Sequence, residues 1–227
     1  MLGFLRETTT GRDRIAVDIE SLIVAGWTGR DPAAIAHHIE ELAAIGVPPP
    51  SRVPLFYRIA AGQLTQTARL QVLGPDTSGE VEPVLVSLAD GLWVGVGSDH
   101  TDRKAEAMGV ALSKQLCAKV VAGQLWRFAD VAPHWDQLIL RSWAVFDGER
   151  LLYQEGTAAA MRPPADLLRL YLGGEGALPA ATLMYCGTLG AKGGVRPASR
   201  FEMELEDPVL GRKLAHAYDV EVLQVVS

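Results

Sequence analysis

The sequence predicts a mixed, β-dominated α+β domain, and three observations carry that reading. Short runs with period-two or continuous apolar character recur along most of the chain. Twenty-three Gly and 13 Pro among 227 residues punctuate these runs as turn residues do. Helical spacing is confined to a few short stretches.

Ile15 to Ile23 alternates apolar and polar side chains ahead of Gly26, which predicts an early strand. Asp31-Pro32 opens a helix, with proline at the first helical position, and Ile35, Ile39, Leu42 and Ile45 repeat at helical spacing up to Gly46. Pro48-Pro49-Pro50 stops it, since proline cannot donate to the helix and restricts the residue before it. Strands are expected at Leu55 to Tyr57, Ala68 to Leu73, Val81 to Leu88 and Leu92 to Val96. Thr101 to Leu116 reads as a helix with Ala105, Met108, Leu112 and Leu116 on its apolar face, continuing through Val120 to Phe128. A second strand series follows at Leu138 to Phe146, Arg150 to Gln154, Ala181 to Tyr185, Phe201 to Leu205 and Asp219 to Val226, with a short helix at Pro164 to Leu172. No repeat or long linker divides the chain, so one domain over 1–227 is expected: a strand-and-helix segment at 1–52 and a β-rich core at 53–227.

The net charge of −6 leaves no basic footprint for a phosphate backbone, which argues against nucleic acid as a partner. Cys117 and Cys186 stand far apart without a Cys-x-x-Cys spacing, so neither a disulfide framework nor a thiolate zinc site is indicated and a reducing cytoplasm fits. No apolar run reaches the roughly 20 residues of a membrane span, and Met1 to Arg14 carries charges where a signal peptide is apolar. A soluble, cytoplasmic protein is expected.

Four constellations can carry chemistry. Glu80 and Glu82, two apart on an extended segment, point to one side, where like charges repel unless a cation lies between them. A solvated strand face is the plainer reading, but the following Val84, Leu85 and Val86 lead into a core, where unpaired carboxylates are costly. Together with Asp99 they would form an all-oxygen site suited to Mg²⁺ or Mn²⁺. Asp99-His100-Thr101-Asp102-Arg103 sits where a strand gives way to a helix, so Asp99 can equally be a helix cap, and Lys114 can equally be a surface lysine. On the first helix, His38 with Glu41 or His37 with Glu40 can pair an imidazole with an orienting carboxylate, or form a surface ion pair. Finally, Gly187-Thr188-Leu189-Gly190-Ala191-Lys192-Gly193-Gly194 departs from a phosphate loop because Gly193 follows Lys192; it remains a tight turn or a loop whose amides approach a carboxylate.

In order, these pieces resemble the fumarylacetoacetate hydrolase family over roughly Leu22 to Val226. The counterparts of its motifs are His38 to Glu41, Pro54-Leu55-Phe56, Glu80 to Glu82, Asp99 to Arg103, Lys114, Gln154-Glu155-Gly156-Thr157 and Gly187 to Gly190. The resemblance implies a mixed β-roll with barrel-like character and short peripheral helices, a homodimer, and one divalent cation held by Glu80, Glu82 and Asp99. It further implies that Lys114 polarises a substrate oxygen, that Thr188 with Gly187 holds a carboxylate, and that His38 oriented by Glu41 moves a proton. Arg103 and Tyr57 join the substrate-binding set, and Arg58, His100 and Arg196 are further candidates to line the pocket. The departures, a short interval from Glu82 to Asp99, Leu189 in place of a proline and Trp27-Thr28 in place of Asn-Tyr, mark a divergent branch. The expected activity is metal-dependent hydrolysis or decarboxylation of a small 2-oxo or 1,3-dicarbonyl acid through a stabilised enolate. A lyase or isomerase on a related acid, or a non-catalytic binder of metal and small acids, is the alternative.

Overall fold

The computed structural model describes residues 1–44 and 48–226, without the side chains of residues 38, 41, 42 and 44. A ten-stranded mixed sheet and a five-stranded sheet pack against each other. The main path of the larger sheet runs Arg12–Val17, Leu2–Glu7, Gln124–Arg127, Gly91–Ser98, Val81–Leu88, Thr182–Tyr185, Ser21–Gly26 and Leu55–Ile59. Lys119–Val121 branches from it, pairing with both Gly91–Ser98 and Leu64–Thr65. The smaller sheet is ordered Glu149–Thr157, Ile139–Phe146, Arg200–Asp207, Arg212–Leu223 and Arg69–Leu73. Among the described residues the strand order does not close into a barrel.

Val81–Leu88 explains why the core has two halves. Val81 and Leu85 pack with Leu140, Tyr153, Phe201 and Leu205 of the smaller sheet. Val84 and Val86 point the opposite way, into a second cluster with Phe4, Leu22, Trp93, Leu125 and Tyr185. A strand covered on both faces reads as a continuous apolar run, and each fully buried Val or Leu there contributes about 1.5–3 kcal/mol. Its partner Gly97 lies opposite Glu82, where a β-carbon would stand 2.6 Å from the Tyr185 ring. Only glycine lets the ring pass so close.

Several sequence expectations are corrected. The single strand at Ile15 to Ile23 is two, Arg12–Val17 at the sheet edge and the buried Ser21–Gly26, and a further N-terminal strand, Leu2–Glu7, pairs with the first. The first helix spans Pro32–Ala44, and its expected end at Ile45 and Gly46 lies outside the described residues. Thr101 to Leu116 is not one helix: Thr101–Asp102 pairs with Thr77–Ser78, and short helices follow at Arg103–Glu106 and Val110–Leu116. Of the expected buried face only Ala105 is buried; Met108, Leu112 and Leu116 are 78%, 44% and 54% exposed, while Ser113 and Lys114 point inward. Ion pairing of Lys114 outweighs the apolar stripe. Val120 to Arg127 is not helical but lies in strands Lys119–Val121 and Gln124–Arg127 and their connection, in keeping with its β-branched and aromatic residues, and a short helix begins only at Phe128. Pro164–Leu172 is the expected helix, closed by Gly173 in the left-handed conformation. No helix among the described residues is long and apolar enough to cross a membrane.

Candidate functional site

Backbone pairing brings the three carboxylates together. Glu82 lies opposite Gly97 and Val81 opposite Ser98, so the residues just beyond, Glu80 and Asp99, meet at the end of the hairpin. The Asp99 amide donates to the Glu80 carbonyl at 3.0 Å, and the Ser98 hydroxyl accepts from the Glu80 amide at 3.2 Å. One oxygen from each of Glu80, Glu82 and Asp99 lies within 4.8 Å of the others. Glu82 and Asp99 are buried and Glu80 is half-buried.

Cations surround this cluster. The Lys114 ammonium touches Asp99 Oδ2 and lies 3.8 Å from Glu80 Oε2. Lys119, fully buried, reaches Asp99 Oδ1 at 2.9 Å and donates to the His100 carbonyl. Arg103 lies 3.0 Å from Glu80, 3.2 Å from Glu106 and donates to the Ser78 hydroxyl at 2.7 Å. Burial opposes a charge on Asp99, but Lys114 and Lys119 overcome it and hold the carboxyl well below the usual range. Burial also works against the Lys114 ammonium, yet Asp99, Glu80 and Glu82 keep it above the ordinary lysine value. Glu82 is the unbalanced member. Burial, with Asp99 and Glu80 beside it, pushes its carboxyl well up despite Lys114 and the Gly187 amide.

The Gly-Thr loop closes the site from Thr182–Tyr185. Gly187 donates its amide to Glu82 Oε2 at 2.6 Å and has φ +101°, a conformation that L side chains rarely adopt. A β-carbon there would lie 1.7 Å from Thr28 Oγ1. The Thr188 hydroxyl donates to the Val81 carbonyl at 2.8 Å and accepts from Gln154 Nε2 at 2.8 Å. Gln154 in turn accepts from the Val81 amide and the Ser142 hydroxyl and donates to the Leu189 carbonyl. In this structure the Thr188 hydroxyl thus ties the loop to the Val81 carbonyl beside Glu80 and Glu82.

The structure thus gathers Glu80, Glu82, Asp99, Arg103, Lys114, Gly187 and Thr188. Tyr57 stands near them, its half-buried hydroxyl accepting from Trp27 Nε1 at 3.3 Å and its pKa raised by burial. The expected His38 and Glu41 pair lies outside the described side chains, although its helix is present. Asp99 does not cap a helix; Asp102 does, accepting from the Ala105 amide at 2.9 Å. His100 is buried between the Tyr218 hydroxyl at 2.9 Å and the Thr77 hydroxyl at 2.8 Å; burial brings its pKa down to about 3. Arg58 pairs with Ser21 and Tyr171, and Arg196 stacks on Phe146. Sequence reasoning missed Lys119 and Glu106. The signal for Lys119 was a lysine inside the apolar run Cys117 to Val121; that for Glu106 was its position one helical turn after Arg103.

A family model described as "Protein of unknown function (DUF2848)" matches residues 25–218. The chain belongs to that family. No curated protein matches this DUF2848 chain. Its fold is that of fumarylacetoacetate hydrolase-family structures. A candidate fumarylacetoacetate isomerase/hydrolase from Oleispira antarctica superposes with TM-score 0.64 at 17% identity, covering 98% of this chain and 100% of the other. A candidate fumarylpyruvate hydrolase from Burkholderia cenocepacia gives 0.60 at 19% identity, covering 97% and 95%. A 2-keto-3-deoxy-D-arabinonate dehydratase, complexed with magnesium and 2,5-dioxopentanoate, gives 0.63 at 14% identity, covering 95% and 85%. In the DUF2848 chain the donor set is oxygen alone, and a buried Glu82 carboxyl is left short of positive charge; both properties fit a hard divalent cation.

Proposed function

We propose that this protein is a divalent-cation-dependent enzyme that breaks a C–C bond in a small 2-oxo or 1,3-dicarbonyl acid, by hydrolysis or decarboxylation. The observation that carries the reading is the convergence of Glu80, Glu82 and Asp99 within 4.8 Å at a site whose Glu82 carboxyl lacks a full counter-charge. The fold shared with hydrolases and a dehydratase of oxo acids supports it. Mg²⁺ or Mn²⁺ held by these three residues would supply positive charge to the oxo and carboxylate oxygens of the acid.

The chain's own residues do the rest. Lys119 fixes one oxygen of Asp99, and the Gly187 amide fixes one oxygen of Glu82, so both carboxylates are oriented before substrate arrives. Gln154 and Thr188 lock the Gly187 loop to Val81 and keep that amide aimed. Arg103 holds Glu80 and sets positive charge at the rim, where it can meet a second carboxylate of the substrate. For hydrolysis, His38 with Glu41 remains our choice for the group that takes a proton from water; decarboxylation requires only protonation of the carbanion left behind. The same donors serve a lyase or isomerase of a related acid.

Metal content should be measured on the purified protein and on Glu82→Gln, followed by a turnover screen with Mg²⁺ or Mn²⁺ against acylpyruvates and oxaloacetate. Metal lost in the variant, with turnover in the wild type, establishes the site and the reaction class. Metal without turnover of any oxo acid, but with stabilisation by such acids, supports the non-catalytic binder. Absence of metal refutes the proposal.

A further inference from the structure

The charges around the cluster nearly cancel. Among the described side chains, the carboxylates of Glu80, Glu82, Asp99 and Glu106 face the cations of Arg103, Lys114 and Lys119. These cations are not equivalent. Lys119 opens a strand, is fully buried and is tied to the His100 carbonyl as well as to Asp99. Arg103 is anchored by the Ser78 hydroxyl and Glu106. Lys114 has no such second anchor among the described contacts: its ammonium reaches only Asp99 and Glu80, two of the three carboxylates, from the last turn of a seven-residue helix. That ammonium sits in the gap between the oxygens a metal would use.

We propose that Lys114 is an internal cation that competes with the divalent ion, so that the metal enters as the ammonium leaves Asp99 and Glu80. The inference rests on the metal-site reading above and adds to it a role for Lys114 in setting metal affinity. Lys119 holds Asp99 Oδ1, so Asp99 Oδ2 is the oxygen that Lys114 would yield. Displaced, the ammonium remains on the helix that borders the site, next to Tyr57, where an incoming acid brings new oxygens. Two cations sharing one set of carboxylates repel strongly at low effective dielectric, so Lys114 weakens metal binding until substrate supplies negative charge.

The test is calorimetric titration of MnCl₂ into metal-stripped wild type, Lys114→Met and Lys114→Arg. Removing the competing charge should tighten Mn²⁺ binding by about tenfold or more in Lys114→Met, while Lys114→Arg, which keeps the charge, stays at or below the wild-type affinity. Equal or weaker binding by Lys114→Met overturns the competition while leaving the metal site intact. No binding by any of the three proteins overturns the metal reading itself. Thermal unfolding gives a second readout. Lys114→Met should melt below wild type in EDTA and gain more from saturating Mn²⁺, because the added cation replaces the lost one; an equal or smaller gain refutes the proposal. If the variant does not fold in EDTA, refolding in Mn²⁺ should recover it, and failure to do so counts against the competition.

Discussion

Replacing Gly187 by alanine tests the geometry of the site more sharply than removing any carboxylate. The added methyl would lie 1.7 Å from Thr28 Oγ1 and 2.9 Å from Thr28 Cβ, while the backbone is held at φ +101°. Holding a non-glycine residue in such a conformation costs about 1–3 kcal/mol. Relieving the overlap adds about 1–3 kcal/mol, as forced overpacking of a buried site does. The expected loss is therefore about 2–6 kcal/mol, or roughly 4–24 °C in melting temperature for a chain of this size. Thr28→Ala separates the two parts, since it removes the hydroxyl that makes the 1.7 Å overlap and leaves the backbone conformation alone. In Thr28→Ala/Gly187→Ala the overlap part should return, giving a favourable coupling of about 1–3 kcal/mol in the double-mutant cycle. Urea denaturation in EDTA measures all four proteins without a contribution from metal. A Gly187→Ala melting temperature within about 2 °C of wild type, or strict additivity in the cycle, would refute the reasoning.

Lys119→Met leaves Asp99 buried beside one ammonium where there were two, and should cost about 3–5 kcal/mol by urea denaturation; a loss below about 1 kcal/mol would mean that Lys114 alone suffices. Glu206 is held below the ordinary 4.5, chiefly by its hydrogen bond from Arg141. The unfolded chain therefore takes up the proton first, and this contribution is present above that ordinary value and lost as pH falls through the folded one. Glu206→Gln should flatten the stability profile between about pH 5 and 3, and an unchanged slope there would contradict the pairing. Cys117 and Cys186 are 4% and 2% exposed, and burial pushes the Cys117 thiol up to about 11. An aromatic disulfide reagent at about pH 8 should label neither thiol in the native protein and both in denaturant; rapid native labelling would show that the core opens.

The strands that bear the carboxylates were legible because burial on both faces writes a continuous apolar run, as at Val81–Leu88, and turn residues mark its ends. Glu80 and Glu82 were legible as a pair because their spacing matches the strand repeat. The helix around Lys114 was misread. Periodicity reports where apolar side chains lie on a helix but not which side faces the core, and ion pairs of Lys114 with Asp99 and Glu80 drew the polar side inward. Lys119 stood out in the sequence only as a lysine inside an apolar run, and its partner Asp99, just past the end of the neighbouring strand, could not be read from pattern. The dependence of Gly187 on Thr28 joins segments that no local rule connects.

All three candidate cation ligands belong to one hairpin, Val81–Leu88 with Gly91–Ser98 and the residues at its open end. On the proposed function the groups that would meet the substrate come from elsewhere: the first helix, the Leu55–Ile59 strand, the short helices carrying Arg103 and Lys114, and the loop after Tyr185. Cation binding and substrate choice are therefore separable parts of this scaffold. On the proposed function, lengthening, trimming or exchanging the outer segments would redirect activity to another acid while the hairpin keeps the carboxylates that would hold the ion, which makes those segments the places to graft when a new specificity is wanted.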